Sequence, residues 1–183
     1  MDGKDYYQKF LAGEEWALSE IIRMYKDGLL LYLNGYVNDL SLADELTEET
    51  FVKLVVKRPR FFAKASFKTW LYTVGRNIAL DHLRRSKGKE VSIEDCPEIS
   101  DDEQELERSY IRREERILLH RALKHLKPEY RQLLHLLYFE NFSQKEAARI
   151  LKKTTHSVET LAYRARKALK TKLLEEGFVY EKL

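Results

Sequence analysis

The chain has 183 residues, 44% apolar and 34% charged, with 33 Lys and Arg against 30 Asp and Glu for a net charge of +3. That is one ordinary domain or two small ones with enough apolar material for a core, and 7 Gly with 3 Pro are too few for the turns of an all-β sandwich or barrel. The longest uncharged run, residues 28–38, is too short to span a bilayer, no apolar signal follows the charged start, and a single cysteine, Cys96, excludes a disulfide framework or an all-cysteine metal cage. The expectation is an all-α, cytoplasmic protein without membrane insertion, built as two small helical domains.

Charge alternates along the chain. Residues 1–56 hold 5 basic and 11 acidic side chains, residues 57–89 hold 10 and 1, residues 90–115 hold 3 and 11, and residues 116–183 hold 15 and 7. Two separated basic blocks suit two contacts with one polyanion. Solvated helix faces are the plainer account of either block alone.

Residues 1–88 read as a bundle of about four helices. Trp16 with Ile21, Ile22 and Tyr25, and then Leu29 to Val37, give two apolar helices. Ser41 before Leu42-Ala43-Asp44 resembles a capping box and opens a helix with Ala43, Leu46, Thr50, Phe51 and Leu54 on one side. Ser66 caps the next, whose buried stripe is Phe67, Trp70, Leu71, Val74 and Ile78. Along one side of that stripe lie Thr73, Asn77, Leu80 and Arg84, with Arg76 and Arg85 nearby and the aromatic, basic loop 60–66 just before. Such a surface can stack unpaired bases and hold their backbone. Core packing is the competing account of Phe61, Phe62 and Trp70, and is preferred for Trp70.

Residues 89–113 are acidic, contain Pro97 and lack apolar periodicity, so they read as a linker. In residues 114–183, an amphipathic stretch from Ile117 to Leu126 stops before Pro128, which starts a helix running to about Phe139. Ser143 with Glu146 is a capping box opening 144–151. After the turn Lys152-Lys153-Thr154, a last helix carries Val158, Leu161, Ala162, Ala165 and Leu169 as its apolar stripe. Two helices joined by a tight turn, the second basic, read as a helix-turn-helix. At 100° per residue, His156, Glu159, Thr160, Tyr163, Lys167 and Lys170 lie opposite the stripe and Arg164 and Arg166 flank it, a face suited to base edges and phosphates. The five histidines show no ligand spacing with Cys96 and no Gly-rich phosphate loop is present, so no catalytic, metal or cofactor site is expected. His120 and His135 read as core or boundary residues.

Together these segments resemble a bacterial RNA polymerase sigma factor of the sigma-70 family, in its two-domain extracytoplasmic-function (ECF) group. Residues 43–51, Ala-Asp-Glu-Leu-Thr-Glu-Glu-Thr-Phe, are similar to the family's core-polymerase-binding helix, with the usual Glu-Asp order swapped at Asp44-Glu45 and Glu48 where Gln is common. Phe67 to Val74, with Arg76-Asn77 and 81–85, resembles the segment that melts and reads the −10 element. Segments 126–131, 142–148 and 163–169 resemble the −35-binding domain. Lys152 and Lys153 replace the family's usual Gly and Ile, and Glu159 stands where a base is usual; Glu159 can instead accept from a cytosine amino group.

The resemblance implies a non-enzymatic factor that binds core RNA polymerase through Asp39, Asp44, Glu45, Thr47, Glu48 and Glu49. It implies that Phe61, Lys64, Lys68, Thr73, Arg76, Asn77, Arg84 and Arg85 hold the melted −10 strand. It assigns Lys153, His156, Ser157, Glu159, Thr160, Tyr163, Arg164, Arg166 and Lys167 to the −35 duplex. The acidic linker would thread the polymerase; roughly 26 residues reach about 85 Å, enough to bridge elements roughly 70 Å apart. An anti-sigma protein is the family's common partner, though no residue here specifies one. The alternative is a helix-turn-helix regulator that binds duplex DNA without polymerase; it leaves the basic-aromatic face and acidic helix of the first domain unexplained.

Overall fold

The computed structural model describes residues 1–59, 65–86, 118–119 and 121–178, and all regular structure among them is helical. The expected linker with Cys96 lies outside these residues, as do Phe61, Phe62, Lys64 and His120. No helix among the described residues is long and apolar enough to cross a membrane.

The first domain has four helices, divided differently from expectation. A helix before Trp16 was not foreseen: α1 (Gly3–Leu11) forms because the Asp2 carboxylate accepts from Lys4 N and Asp5 N while Asp5 returns a bond to Asp2 N, satisfying donors that a helix start leaves orphaned. It buries Tyr7 and Phe10. The two apolar helices expected over 16–37 are one, α2 (Trp16–Val37), which ends at Asn38 in the left-handed conformation. Trp16, expected in its core face, is exposed and donates its indole N–H to Glu14. α3 (Leu40–Lys57) is capped by Asp39, whose carboxylate accepts from Leu42 N at 3.0 Å; Ser41 therefore lies inside the helix rather than capping it. Ala43, Leu46, Thr50, Phe51 and Leu54 are buried. α4 (Phe67–Ser86) opens at Ser66, whose Oγ accepts from Thr69 N. Its buried side holds Phe67, Leu71, Tyr72 and Ile78, with Trp70 and Val74 only partly buried. Gly75 sits where α4 crosses α2 and α3; a Cβ there would meet Leu29 Cδ1 at 3.0 Å and Thr50 Oγ1 at 3.4 Å.

In the second domain, residues 121–124 are helical and α5 (Pro128–Leu134) starts on its proline. The expected run to Phe139 is not α-helical throughout: His135–Phe139 widens into a π turn, closed by Glu140 N donating to His135 O. α6 (Gln144–Leu151) has the Ser143–Glu146 capping box, and Lys152 turns left-handed into α7 (Thr155–Glu175), capped by Thr154. Val158, Ala162 and Ala165 are fully buried; Leu169, expected in the stripe, is half-buried.

The domains share one core. Leu133, Leu136, Phe142, Ile150 and Leu151 join the buried set that includes Leu29, Tyr32 and Tyr72 of the first domain. A smaller cluster, Leu126, Leu134 and Ala165, belongs to the second domain alone. We expect Ser143→Ala to lower stability by about 1 kcal/mol through loss of the α6 cap, read as a lower urea midpoint with an unchanged denaturant slope.

Candidate nucleic-acid and polymerase interfaces

α7 presents the predicted groups on one open face. With Val158, Leu161, Ala162 and Ala165 turned inward, Lys153, His156, Ser157, Glu159, Tyr163, Arg164, Arg166 and Lys167 are exposed. Tyr163 is 64% exposed. Thr160 is half-buried, and its hydroxyl donates to the His156 carbonyl of its own helix. Arg166 donates to the Tyr138 hydroxyl at 3.3 Å, which holds its guanidinium beside the π turn.

On α3, Glu45, Glu48 and Glu49 are exposed, while Asp44 pairs with Lys26 of α2 at 3.2 Å. Asp39 serves the helix as its cap. Thr47 is a correction: it is 0% exposed and its hydroxyl donates to the Ala43 carbonyl at 2.7 Å, so it cannot face a partner. Three further residues of α3 stand out by their exposure. Val52, Val55 and Val56 continue the acidic face as exposed apolar surface. Their spacing from Glu45, Glu48 and Glu49 in steps of three and four was the signal, hidden by the buried stripe running beside them.

The α4 surface is more engaged than expected. Arg84 and Arg85 are exposed; Arg84 pairs with Asp81, and Arg85 donates to the Asp81 carbonyl. Thr73 donates to Thr69 O, and Asn77 lies half-buried one turn further along. Lys68 and Arg76, however, turn to the second domain. The Lys68 ammonium donates to the Glu140 carbonyl at 2.8 Å, pairs with the Glu140 carboxylate at 2.8 Å and lies 4.8 Å from the Phe142 ring centroid. Arg76 donates to the Leu151 carbonyl at 3.3 Å and lines a cleft with Leu80, Leu151 and Lys153. One oxygen of Glu146 completes the cap of α6, and the other accepts from Ser66 and Thr69 at the start of α4, both at 3.3 Å.

Glu140 is the electrostatic centre of this contact. Burial alone would raise its pKa, but the His135 ring, the Lys68 ammonium and the Tyr72 hydroxyl around it outweigh that and hold it at about 2. Burial raises the Tyr72 phenol, and the adjacent carboxylate raises it further. Burial likewise acts upward on Glu146, but its bonds from Ser143, Thr69 and Ser66 bring it below the usual carboxylate range.

The sequence of residues 21–89 matches the family model described as Sigma-70 region 2, and residues 116–169 match Sigma-70, region 4. The chain belongs to the sigma-70 family. Within it, the relatives place the chain in the ECF group. It is 28% identical over 160 residues to the ECF RNA polymerase sigma factor BldN of Streptomyces coelicolor, covering 86% of this chain and 61% of that protein. It is 29% identical over 153 residues to the ECF RNA polymerase sigma factor SigM of Bacillus subtilis, covering 84% and 93%. Among solved structures, the fold is similar to the sigma factor RpoE in complex with the anti-sigma factor NepR from Bartonella quintana, at a TM-score of 0.68 and 22% identity over 86% of this chain and 96% of that one. It is also similar to CnrH in complex with the cytosolic domain of CnrY, at 0.66 and 20% over 96% and 99%. In these sigma-family terms α2 to α4 make up region 2, α5 to α7 make up region 4, and α1 precedes both matched segments.

The depressed Glu140 pKa carries a sign. A carboxylate held at about 2 in the folded protein and near 4.5 when unfolded stabilises above pH 4.5 and loses that contribution as pH falls towards 2. We expect Glu140→Gln to cost about 1–3 kcal/mol at pH 7. The gap from wild type should narrow below about pH 5 in urea titrations run at a series of pH values.

Proposed function

We propose that this protein is a sigma factor that binds core RNA polymerase and directs initiation at particular promoters. The observation that carries the reading is one chain holding region 2 and region 4 in order, with a capped, basic, aromatic-bearing face on α7 opposite its buried stripe. α7 enters the −35 major groove, where Tyr163, Lys167 and their neighbours reach base edges and phosphates. The α4 face around Thr73 and Asn77 takes the melted −10 strand. The Asn77 amide has the donors and acceptor that base-edge reading needs. The exposed carboxylates of α3 dock on a basic surface of the polymerase, and Val52, Val55 and Val56 extend that contact with apolar area. Recognition is this chain's contribution, and nucleotide chemistry is the polymerase's. Work on the chromosome places it in the cytoplasm. RpoE is held by the anti-sigma factor NepR in its solved complex, and an inhibitor of that class is among the partners proposed here.

The reading is tested by run-off transcription with reconstituted holoenzyme on templates substituted across the −10 element. Asn77→Ala should lose about 5- to 150-fold of base discrimination, the worth of one good base contact at 1–3 kcal/mol, with −35 duplex binding unchanged. Tyr163→Ala should do the reverse. Wild-type rates and preference for Asn77→Ala would remove it from base capture.

The α3 assignment has its own test. Replacing Asp44, Glu45 and Glu49 together by Ala should weaken core-polymerase binding at least tenfold in a titration. The melting temperature should hardly move, because the Asp44–Lys26 pair is a surface contact of small worth and the other two carboxylates are solvated.

A further inference from the structure

One group on the open face of α7 does not suit a surface that meets a polyanion. From Lys152 to Leu174 the chain carries seven Lys and Arg and a single acidic residue, Glu159. Its side chain is 54% exposed and shares the open face with His156 and Tyr163.

The usual structural duties of a helical carboxylate do not account for it. Thr154 is the cap of α7. Glu159 is the fifth residue of the helix, past the first turn in which the helix dipole favours negative charge. The residues three and four positions away are Thr155, His156, Ala162 and Tyr163, so no Lys or Arg stands where a helical ion pair would form. His156 Nδ1 lies 3.9 Å from the carboxylate, beyond hydrogen-bond reach. Near phosphates such a group weakens binding by repulsion.

On base edges a carboxylate is selective. When ionised it only accepts hydrogen bonds. In the major groove guanine presents N7 and O6 and thymine presents O4, all acceptors that repel it. Adenine sets its N6 amino group beside the N7 acceptor. Cytosine presents its N4 amino group with no acceptor next to it on the same base.

We propose that Glu159 determines one position of the −35 element as cytosine, accepting from the N4 amino group and rejecting guanine and thymine there by repulsion. The proposal rests on α7 being the −35 surface and adds to it the identity of a base. Lys153, Arg164, Arg166 and Lys167 around it supply sequence-independent attraction to phosphates. Glu159 subtracts from that attraction at every site except one that offers the amino group. It thus gives up general affinity for discrimination.

The test uses reconstituted holoenzyme and a library of promoter fragments randomised across the −35 element, with the transcribed fraction sequenced. Wild type should enrich cytosine at one position about 5- to 150-fold over guanine or thymine, the worth of one good base contact. Glu159→Gln should move the preference at that position to adenine, whose N6 and N7 a carboxamide meets with two bonds. Glu159→Ala should flatten that position alone and leave the others as in wild type. The melting temperatures of both variants should hardly move, because the side chain is exposed and the cap of α7 is Thr154. Wild-type preference in both variants, or a loss of preference spread evenly over all positions, would overturn the proposal and leave the −35 reading of α7 intact. A wild-type holoenzyme that enriches no −35 sequence would overturn that reading and the proposal with it.

Discussion

The bare face of α2 is the constraint on which the rest of the molecule depends. One side of this helix carries Ile21, Leu29 and Leu33 into the bundle with α3 and α4. Another carries Gly28, Tyr32, Gly35 and Tyr36, and it receives the second domain. Glycine in a helix interior costs roughly 1 kcal/mol against alanine, and two of them in one 22-residue helix are tolerated because packing on both sides holds it. The Tyr32 ring lies 6.1 Å from the His135 ring, a Cβ on Gly28 would crowd the Glu140 carboxylate and the Tyr72 hydroxyl, and the carbonyls of Gly28 and Gly35 meet His135, Arg131 and Gln132.

From that contact the charge arrangement derives. Once His135 is seated on α2, the π turn after it delivers Glu140 to Lys68 and Phe142 to Tyr72, whose rings meet at 5.1 Å. α6 then runs past the start of α4, which brings Glu146 to Ser66 and Thr69. Each of these basic or hydroxyl groups on α4 finds an acceptor on a neighbouring domain of the same chain, so the basic block seen in the sequence is partly neutralised within the fold. α7 is left with its cations and Tyr163 facing outward, and α3 with its carboxylates.

Features set by neighbours in sequence were legible. The Ser143–Glu146 box, Pro128 at a helix start and the Val158–Ala165 stripe depend on residues within a turn or two of each other, and the structure contains all three. Features set by distant contacts were not. α1 is short, with Tyr6, Tyr7, Phe10 and Leu11 as its apolar signal, and its place is decided by rings far along the chain, Phe67 at 5.2 Å and Trp70 at 5.5 Å from Tyr7. Gly28 made 16–37 look like two helices, because its purpose lies in the second domain. Asp39 and Ser41 are both competent caps, and the left-handed Asn38 just before Asp39 decided between them. Thr47 matched a motif by type while its burial answers to the core. The engagement of Lys68 and Arg76 could not be read from partners so far along the chain.

The π turn at His135–Phe139 has a consequence for how this fold can change length. A π turn holds one residue more than the α turn it replaces, and that residue sets the phase of the helices after it. Deleting any one position between 135 and 139 would restore an unbroken α-helix and rotate the downstream chain by about 100°. Glu140 would then swing off Lys68, Phe142 off Tyr72, and α6 and α7 would sit differently against the first domain. The segment is therefore intolerant of insertion and deletion even though its tip, Tyr138 and Phe139, lies on the surface. A surface position is usually where chains gain and lose residues freely. Here a single residue of length keeps α4 and α7 of one protein in step.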